Sequence, residues 1–443
     1  MEEQSSMVYD YVEFKKILAK AKDLYAYALY KCECNNFEEV KKITRRYEIF
    51  QNELEREYFD IQDLSGKDNQ WLEYEDIIKA APKTRIKCNA LNMNMLPDKM
   101  AGAIAGRFAG CVLGVPVEHW YPGDIRDMAE QFGDDFPPKD YWKNVYCPSR
   151  PLHHEWATRG EYTKDRMNGA PVDDDTGYTI LNLLALEKYG SEFTTSDMTK
   201  IWMEYLPFAH SAEKVALENI KNGVPLAEVA IRFNPYVEWI GAYIRSDAWG
   251  WSCPGNPDKA AEFAWRDGFL THRKNGLYGE MFFAAVESAA FVENSIETIL
   301  KIGLTYIPEK CQLSKDIRWA MSEMDNVHSW KDAVKLVNHR FQGMSQVHTN
   351  NNACLIVFGL FLGKNDFTKT IGNIVAMGYD NDCNAATAGS IIGAMIGKSN
   401  IEEKWYQPFH GKVKSYIKNN EVIGFDDLVE RFLFQAKKIM ENN

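Results

Sequence analysis

Two runs of glycine at every fourth residue constrain this chain more than any other feature. In MAGAIAGRFAGCVLGVPVE glycines stand at 102, 106, 110 and 114, and in GYDNDCNAATAGSIIGAMIG at 389, 393 and 397, with Ala385 in the same register. On an α-helix that spacing puts one glycine per turn on a single face. Each glycine costs a helix interior about 0.8–1 kcal/mol relative to alanine, so several on one face need compensation. Close approach of two helix backbones supplies it, and both segments are expected to be central helices. Such ladders also occur in membranes, but Arg107 and the shortness of both segments assign these to a water-soluble core. The spacing by itself carries no chemistry.

The rest of the chain from residue 96 also reads as helix. Apolar residues recur at i, i+3 and i+4 in TGYTILNLLALEKYG, AEKVALENIKNG, YGEMFFAAVESAAFVEN and FDDLVERFLFQAKKIMENN, and strand-like alternation is scarce. The expected fold class is therefore all-α. Residues 1–95 differ in composition and carry two amphipathic stretches, through Val12, Ile17, Leu24 and Leu29 and through Val40, Ile43, Tyr47, Phe50 and Leu54. They are expected to form a helical N-terminal extension ahead of a main domain at 96–443, with a loop at 64–70 and a weak boundary at Ala81-Pro82-Lys83. A structural or homo-oligomerising role suits a segment without an acid, His or Cys cluster. Residues 119–172, crowded with Pro, Gly, Trp and Tyr, are the main irregular region and suit a lid or pocket wall.

Charge narrows the partners. Lys and Arg number 51 against 63 Asp and Glu, a net charge of −12 that repels nucleic-acid backbones and anionic lipid surfaces. The start of the chain lacks a basic, apolar signal pattern, and no segment reads as a membrane span, so the expected location is the cytoplasm. Nine cysteines without Cys-x-x-Cys spacing fit reduced thiols.

The chemistry is carried by two acidic clusters. Asp173, Asp174 and Asp175 open one helix, and Asp380 and Asp382 stand before the second glycine ladder. Acids at a helix N-terminus are ordinary caps, each contributing about 0.3–1 kcal/mol. One would serve. Three adjacent acids repel each other unless solvated or neutralised by a cation, and hard oxygen donors point to magnesium, manganese or calcium. Two such clusters before two core helices suggest one shared site.

In chain order, GAIAGRFAGCVLGVPVE, PVDDDTGYT and MGYDNDCNAATAGSIIGAMIG resemble the three motifs of the ADP-ribosylglycohydrolase family, with weaker echoes in GAYIR at 241–245 and LTH at 270–272. The resemblance runs from about residue 96 to the C-terminus. It implies an all-α domain with a central site for one or two cations, usually Mg2+ with Mn2+ as an alternative, that hydrolyses the bond at ribose C1″ of an ADP-ribosyl group. By position it makes Asp173, Asp174, Asp175, Asp380, Asp382 and Cys383 the metal-ligand candidates, and Asp174, Asp175 and Glu118 the catalytic candidates. Tyr379, Arg245, His272 and Trp249 are candidate substrate contacts, with Trp251 as a further possible stacking residue.

This sequence departs from the family pattern at four of these positions. Asp173 replaces a threonine, Cys383 a Thr or Ser, Cys111 an aspartate and Tyr379 a glycine. A thiol is a poor partner for magnesium. The departures suggest a divergent branch and leave room for two other readings: a nucleoside or nucleotide N-glycosidase acting on a small substrate, and an ADP-ribose-binding module without catalysis. A protein that uses its N-terminal helices as an interaction scaffold is a third.

Overall fold

The computed structural model describes residues 12–65, 72–146 and 159–441 and divides into two compact units, 1–70 and 71–443. In the first unit, helices Val12–Glu33 and Phe37–Ser65 form a hairpin. The chain reverses at Asn35, whose φ of 55° is tolerated best by Gly and Asn, while Cys34 N and Asn36 N donate to Tyr30 O and Lys31 O at 3.0 and 2.9 Å. The two amphipathic stretches are thus helical. Of the loop expected at 64–70, Leu64 and Ser65 belong to the second helix and the remainder lies outside the described residues.

The second unit starts ahead of the boundary expected near residue 95. Helix Tyr74–Ala80 buries Ile77 completely, Glu309 N donates to Ala80 O at 3.0 Å, and both Asn89 N and Asn89 Nδ2 donate to the Glu293 carboxylate at 2.8 Å. Residues 72–95 therefore pack as part of the main body, tied down by partners about two hundred positions later in the chain.

Its centre is the pair of ladder helices, Leu96–Gly114 and Asn381–Ile396. They run antiparallel with their backbones touching. A methyl group at Gly106 would lie 2.0 Å from Gly389 O, one at Gly110 2.0 Å from Ala385 O, and one at Gly393 2.0 Å from Gly102 O. No Cβ fits at those distances, which is why the sequence accepts the helix penalty of glycine there. Helices Asp174–Tyr189, Lys274–Ala290 and Thr349–Gly363 are largely buried around this pair, so the body is all-α. The segment Leu96–Val117 is, against expectation, long and apolar enough to cross a membrane by composition, but 94% of its apolar window is buried inside the protein. It is a core helix.

Among the described residues, paired strands occur only at Lys412–Lys414 and Val422–Gly424, antiparallel with Val413 opposite Ile423. They have a local use. Ala170 bridges to Val413, exchanging bonds of 2.8 and 2.9 Å with Lys412 O and Lys414 N, which fixes the chain leading into Asp173. Of the irregular 119–172 region, 147–158 lies outside the described residues. The rest is anchored: Trp142 Nε1 donates to Leu113 O at 2.9 Å and Tyr141 Oη to Trp405 O at 2.7 Å.

Candidate metal centre

The antiparallel ladder brings the end of one helix to the start of the other. A methyl group at Gly114 would lie 2.3 Å from Asp382 Cα, so Cys111, Glu118 and His119 on the first segment come opposite Asp380, Asp382 and Cys383 on the second. A third element, helix Asp174–Tyr189, points its N-terminus at the same place. Its cap is Asp173, in extended backbone (φ −153°), with Oδ1 accepting a hydrogen bond from Asp175 N at 3.0 Å. Capping thus accounts for one of the three acids.

The donor atoms gather into three groups, each within 4.8 Å: Cys111 with Asp173 and Asp175; Asp175 with Asp382 and Cys383; and Glu118 with His119 and Asp380. Asp175 is common to the first two. The expected convergence of the two acidic clusters is therefore present, except that Asp174 stands half-buried outside the groups and Asp380 sides with Glu118 and His119. Asp173, Asp175, Asp380 and Asp382 are all at most 4% exposed. Both oxygens of Asp175, Oδ1 of Asp380 and Oδ1 of Asp382 have no hydrogen-bonding partner among the described residues. Buried carboxylates in that condition either take up protons or hold a cation. Burial pushes Asp175 far above the usual carboxylate range, with Arg107 opposing and Asp173 and Asp174 adding to the rise. Burial, then Glu118 and Asp380, raise Asp382 in the same way.

Asp380 is pushed up to about 6, by burial first, with His119 opposing and Glu118 reinforcing. The sign follows from linkage. A carboxyl whose folded value lies above its unfolded value of about 3.9 makes the metal-free protein less stable as pH rises from about 4 to about 6. A cation reverses this because it binds the ionised form. We expect divalent cation to raise the melting temperature at neutral pH, by about 2.7 kcal/mol of stability at a hundredfold excess over its Kd, and its affinity to fall as pH drops through 6. Calorimetric melts at pH 5 and 7.5, with and without cation, check this. Equal cation effects at both would refute it.

Two residues that sequence reasoning left without a site role organise the centre. Arg107, 0% exposed in the first ladder helix, pairs with Asp247 at 2.8 Å and with Asp175 Oδ1 at 3.6 Å. It also donates to Thr387 Oγ1, Asp175 O and Ile244 O at 2.9, 2.9 and 2.6 Å. It thereby fixes the 174–189 helix against both ladder helices. A lone arginine in an apolar helix was the available signal, since a buried guanidinium must find anions. His119 is the second. Its Nε2 lies 3.0 Å from Glu118 Oε1 and its N donates to Tyr379 O at 3.0 Å. Burial lowers its basicity, but the Glu118 charge and hydrogen bond outweigh that and bring it to about 9.

Tyr379 has φ 63°, in the left-handed region. The family pattern has a glycine at this position, the residue that adopts such a backbone at least cost. The tyrosine is half-buried beside Asp380, with Oη donating to Asn338 Oδ1. Below it, Asn352 Oδ1 accepts from Asp380 N at 3.4 Å and from Asn384 Nδ2 at 2.7 Å, and Tyr243 Oη donates to Asn384 Oδ1 at 2.7 Å. A polar chain thus supports the start of the second ladder helix.

Three expected substrate contacts lie elsewhere. Arg245, Trp249 and His272 are 0% exposed and belong to a separate buried network. Arg245 pairs with Asp267 and Glu280 at 3.4 and 3.5 Å and donates to Thr271 Oγ1 at 2.8 Å. Trp249 Nε1 reaches the same two carboxylates at 3.2 and 3.1 Å while its ring stacks on Phe193. His272 Nδ1 lies 2.7 Å from Thr271 Oγ1, and burial with Arg245 nearby holds the ring well below its ordinary basicity. These side chains offer no surface to a ribose or phosphate. Trp251 is likewise buried, donating to Ser390 Oγ at 2.9 Å. The GAYIR and LTH echoes carry core structure.

Fold and centre together define a class: all-α proteins that gather aspartates from separate helix N-termini into a buried pocket of carboxylates able to hold a cation. Residues 92–438 match the family model for ADP-ribosylglycohydrolase, and the chain belongs to the ADP-ribosylglycohydrolase family. Among solved structures, one described as an ADP-ribosylglycohydrolase-related protein complex is similar in fold, with a TM-score of 0.53, 16% identity, and coverage of 78% of this chain and 99% of that one. No curated protein matches this sequence.

Proposed function

We infer that this member of a glycohydrolase family is a cation-dependent hydrolase that cleaves the N- or O-glycosidic bond at ribose C1″ of an ADP-ribosyl or related ribosyl substrate, borne on a small molecule or a protein, in the cytoplasm. The observation that carries the reading is the pair Asp175 and Asp382, buried carboxylates from two distant helix N-termini with unpartnered oxygens facing one another's group. The carboxylates suit a divalent cation; the adjoining thiols do not suit magnesium. Cations held among Asp173, Asp175, Asp380 and Asp382 would supply Lewis-acid polarisation of ribose hydroxyls and water.

The side chains divide the remaining work. Asp174 is half-buried in the first turn of its helix, next to Asp173 and Asp175 of the donor groups, and its carboxylate is the candidate to take the proton of the attacking water. Asp175, clamped by Arg107, holds position instead of moving protons. Glu118, paired with the His119 imidazolium, is the candidate to orient the leaving group and to offset the positive charge that develops at C1″. The Tyr379 ring, beside Asp380, offers a face for a base.

Two substitutions test the assignment against ADP-ribosylated small-molecule and peptide substrates. Asp174→Asn is expected to lower turnover about 100-fold, the low end of general-base contributions, while leaving cation binding in place; Asp380→Asn should lower both. Turnover unchanged in both variants would remove the catalytic assignment. Cys111 and Cys383, which stand where the family pattern has Asp and Thr or Ser, favour one second reading, an ADP-ribose binder without catalysis. Calorimetric binding of ADP-ribose by wild type, with no turnover under any cation, would establish that instead.

A further inference from the structure

We propose that the buried cluster is a two-cation centre for borderline-soft divalent metals of the zinc type, with Cys111 as thiolate donor in one position, Cys383 in the other, and Asp175 shared between them. The proposal rests on reading the carboxylates as a cation site and goes beyond it in naming which cations the site selects.

The geometry supplies the argument. Each of the two groups containing Asp175 holds one thiol and two carboxylates: Cys111, Asp173 and Asp175 in the first, Cys383, Asp175 and Asp382 in the second. Three protein donors with a fourth position open is the arrangement of catalytic zinc, whereas magnesium asks for near-octahedral oxygen and retains several waters. Thiolate donors select zinc, cobalt and cadmium over magnesium and calcium. Both thiols are buried, and Asp175 Oδ2 and Asp382 Oδ1, each in a side chain at least 98% buried, are unpartnered. Two divalent cations would offset four of the five negative charges of three carboxylates and two thiolates, with the Arg107 guanidinium shared between Asp175 and Asp247.

The other buried cysteines serve as contrasts. Cys354 Sγ faces Asp316 O, and Cys311 Sγ accepts from Ser314 N at a helix cap. Among the described residues only Cys111 and Cys383 fall into donor groups with two carboxylates. Both sit on the ladder helices, whose backbones touch.

The test uses the full chain stripped of metal and titrated separately with Co2+, Zn2+ and Mg2+. Expected are thiolate-to-cobalt charge-transfer absorption in the near ultraviolet and two bound equivalents by elemental analysis. Cys111→Ser and Cys383→Ser should each remove part of that absorption, and Cys354→Ser none. The double variant should lose at least about 100-fold in zinc affinity, since even an outer-sphere partner is worth 10–100-fold. Metal-free melting and circular dichroism establish that each variant is folded, and Cys111→Asp with Cys383→Thr, which restore the residues of the family pattern, serve if the serine variants are not. A cobalt spectrum without charge transfer, or zinc affinity unchanged in a folded double variant, overturns the proposal. If magnesium binds under those results, the glycohydrolase reading stands; if no cation binds at all, that reading fails with it.

Discussion

Replacing Arg107 by methionine is expected to lower the unfolding free energy by about 3–5 kcal/mol, the range for removing one partner of a buried ion pair. The side chain is 0% exposed and faces Asp247 at 2.8 Å and Asp175 at 3.6 Å. Methionine fills much of the volume but strands those carboxylates, and with them Glu287, whose charge also bears on Arg107. Asp247 and Glu287 are already raised, by burial first, with Arg107 opposing in each. The loss should therefore be largest at neutral pH and shrink in acid, where the stranded groups take up protons. Urea unfolding at pH 7 and pH 5 measures this. Adding Asp247→Asn to Arg107→Met should restore part of the loss at pH 7. A single variant within about 1 kcal/mol of wild type would mean that the guanidinium is not the counter-charge of the core.

Gly110→Ala is the second large effect. In an ordinary helix interior the change gains up to about 1 kcal/mol. Here the new methyl would lie 2.0 Å from Ala385 O and 2.3 Å from Ala385 C, both backbone atoms that cannot rotate away. The helices must separate, and overpacking of that kind costs 1–3 kcal/mol or more; we expect about 3 kcal/mol net. Gly123→Ala is the matched control. It lies in helix Pro122–Phe132 with nothing within 4 Å of an added methyl, so it should be neutral or slightly stabilising. If Gly110→Ala behaves like Gly123→Ala, the backbone contact between the ladder helices is not what the glycines are for.

The parts of this molecule that were legible in its sequence are those whose cause is local. A glycine on every turn has few explanations other than a backbone neighbour, and the two ladders met each other in register. Consecutive acids at helix starts announce themselves in the same way, because the cap needs only one. What stayed hidden depends on partners scattered along the chain. Arg245, Trp249 and His272 look like ligand-binding residue types, yet their use is decided by Asp267, Glu280 and Thr271, whose proximity no spacing reveals. His119 follows Glu118 directly, but its role depends on a left-handed backbone (φ 60°) and on the carbonyl of Tyr379. Residues 72–95 are held by single anchors such as Asn89 on Glu293, which leave no periodic signal.

The direct seating of one ladder helix on the other has a consequence for how such a centre can change over evolutionary time. With no side chains between the two backbones, the span from residue 111 to residue 383 cannot be adjusted by trading a larger residue for a smaller one. In the cation centre proposed above, preference for one ion over another would then be altered by exchanging donor elements, oxygen for sulfur, within a frame of constant dimensions. The two cysteines stand at positions where that exchange is possible without moving the frame.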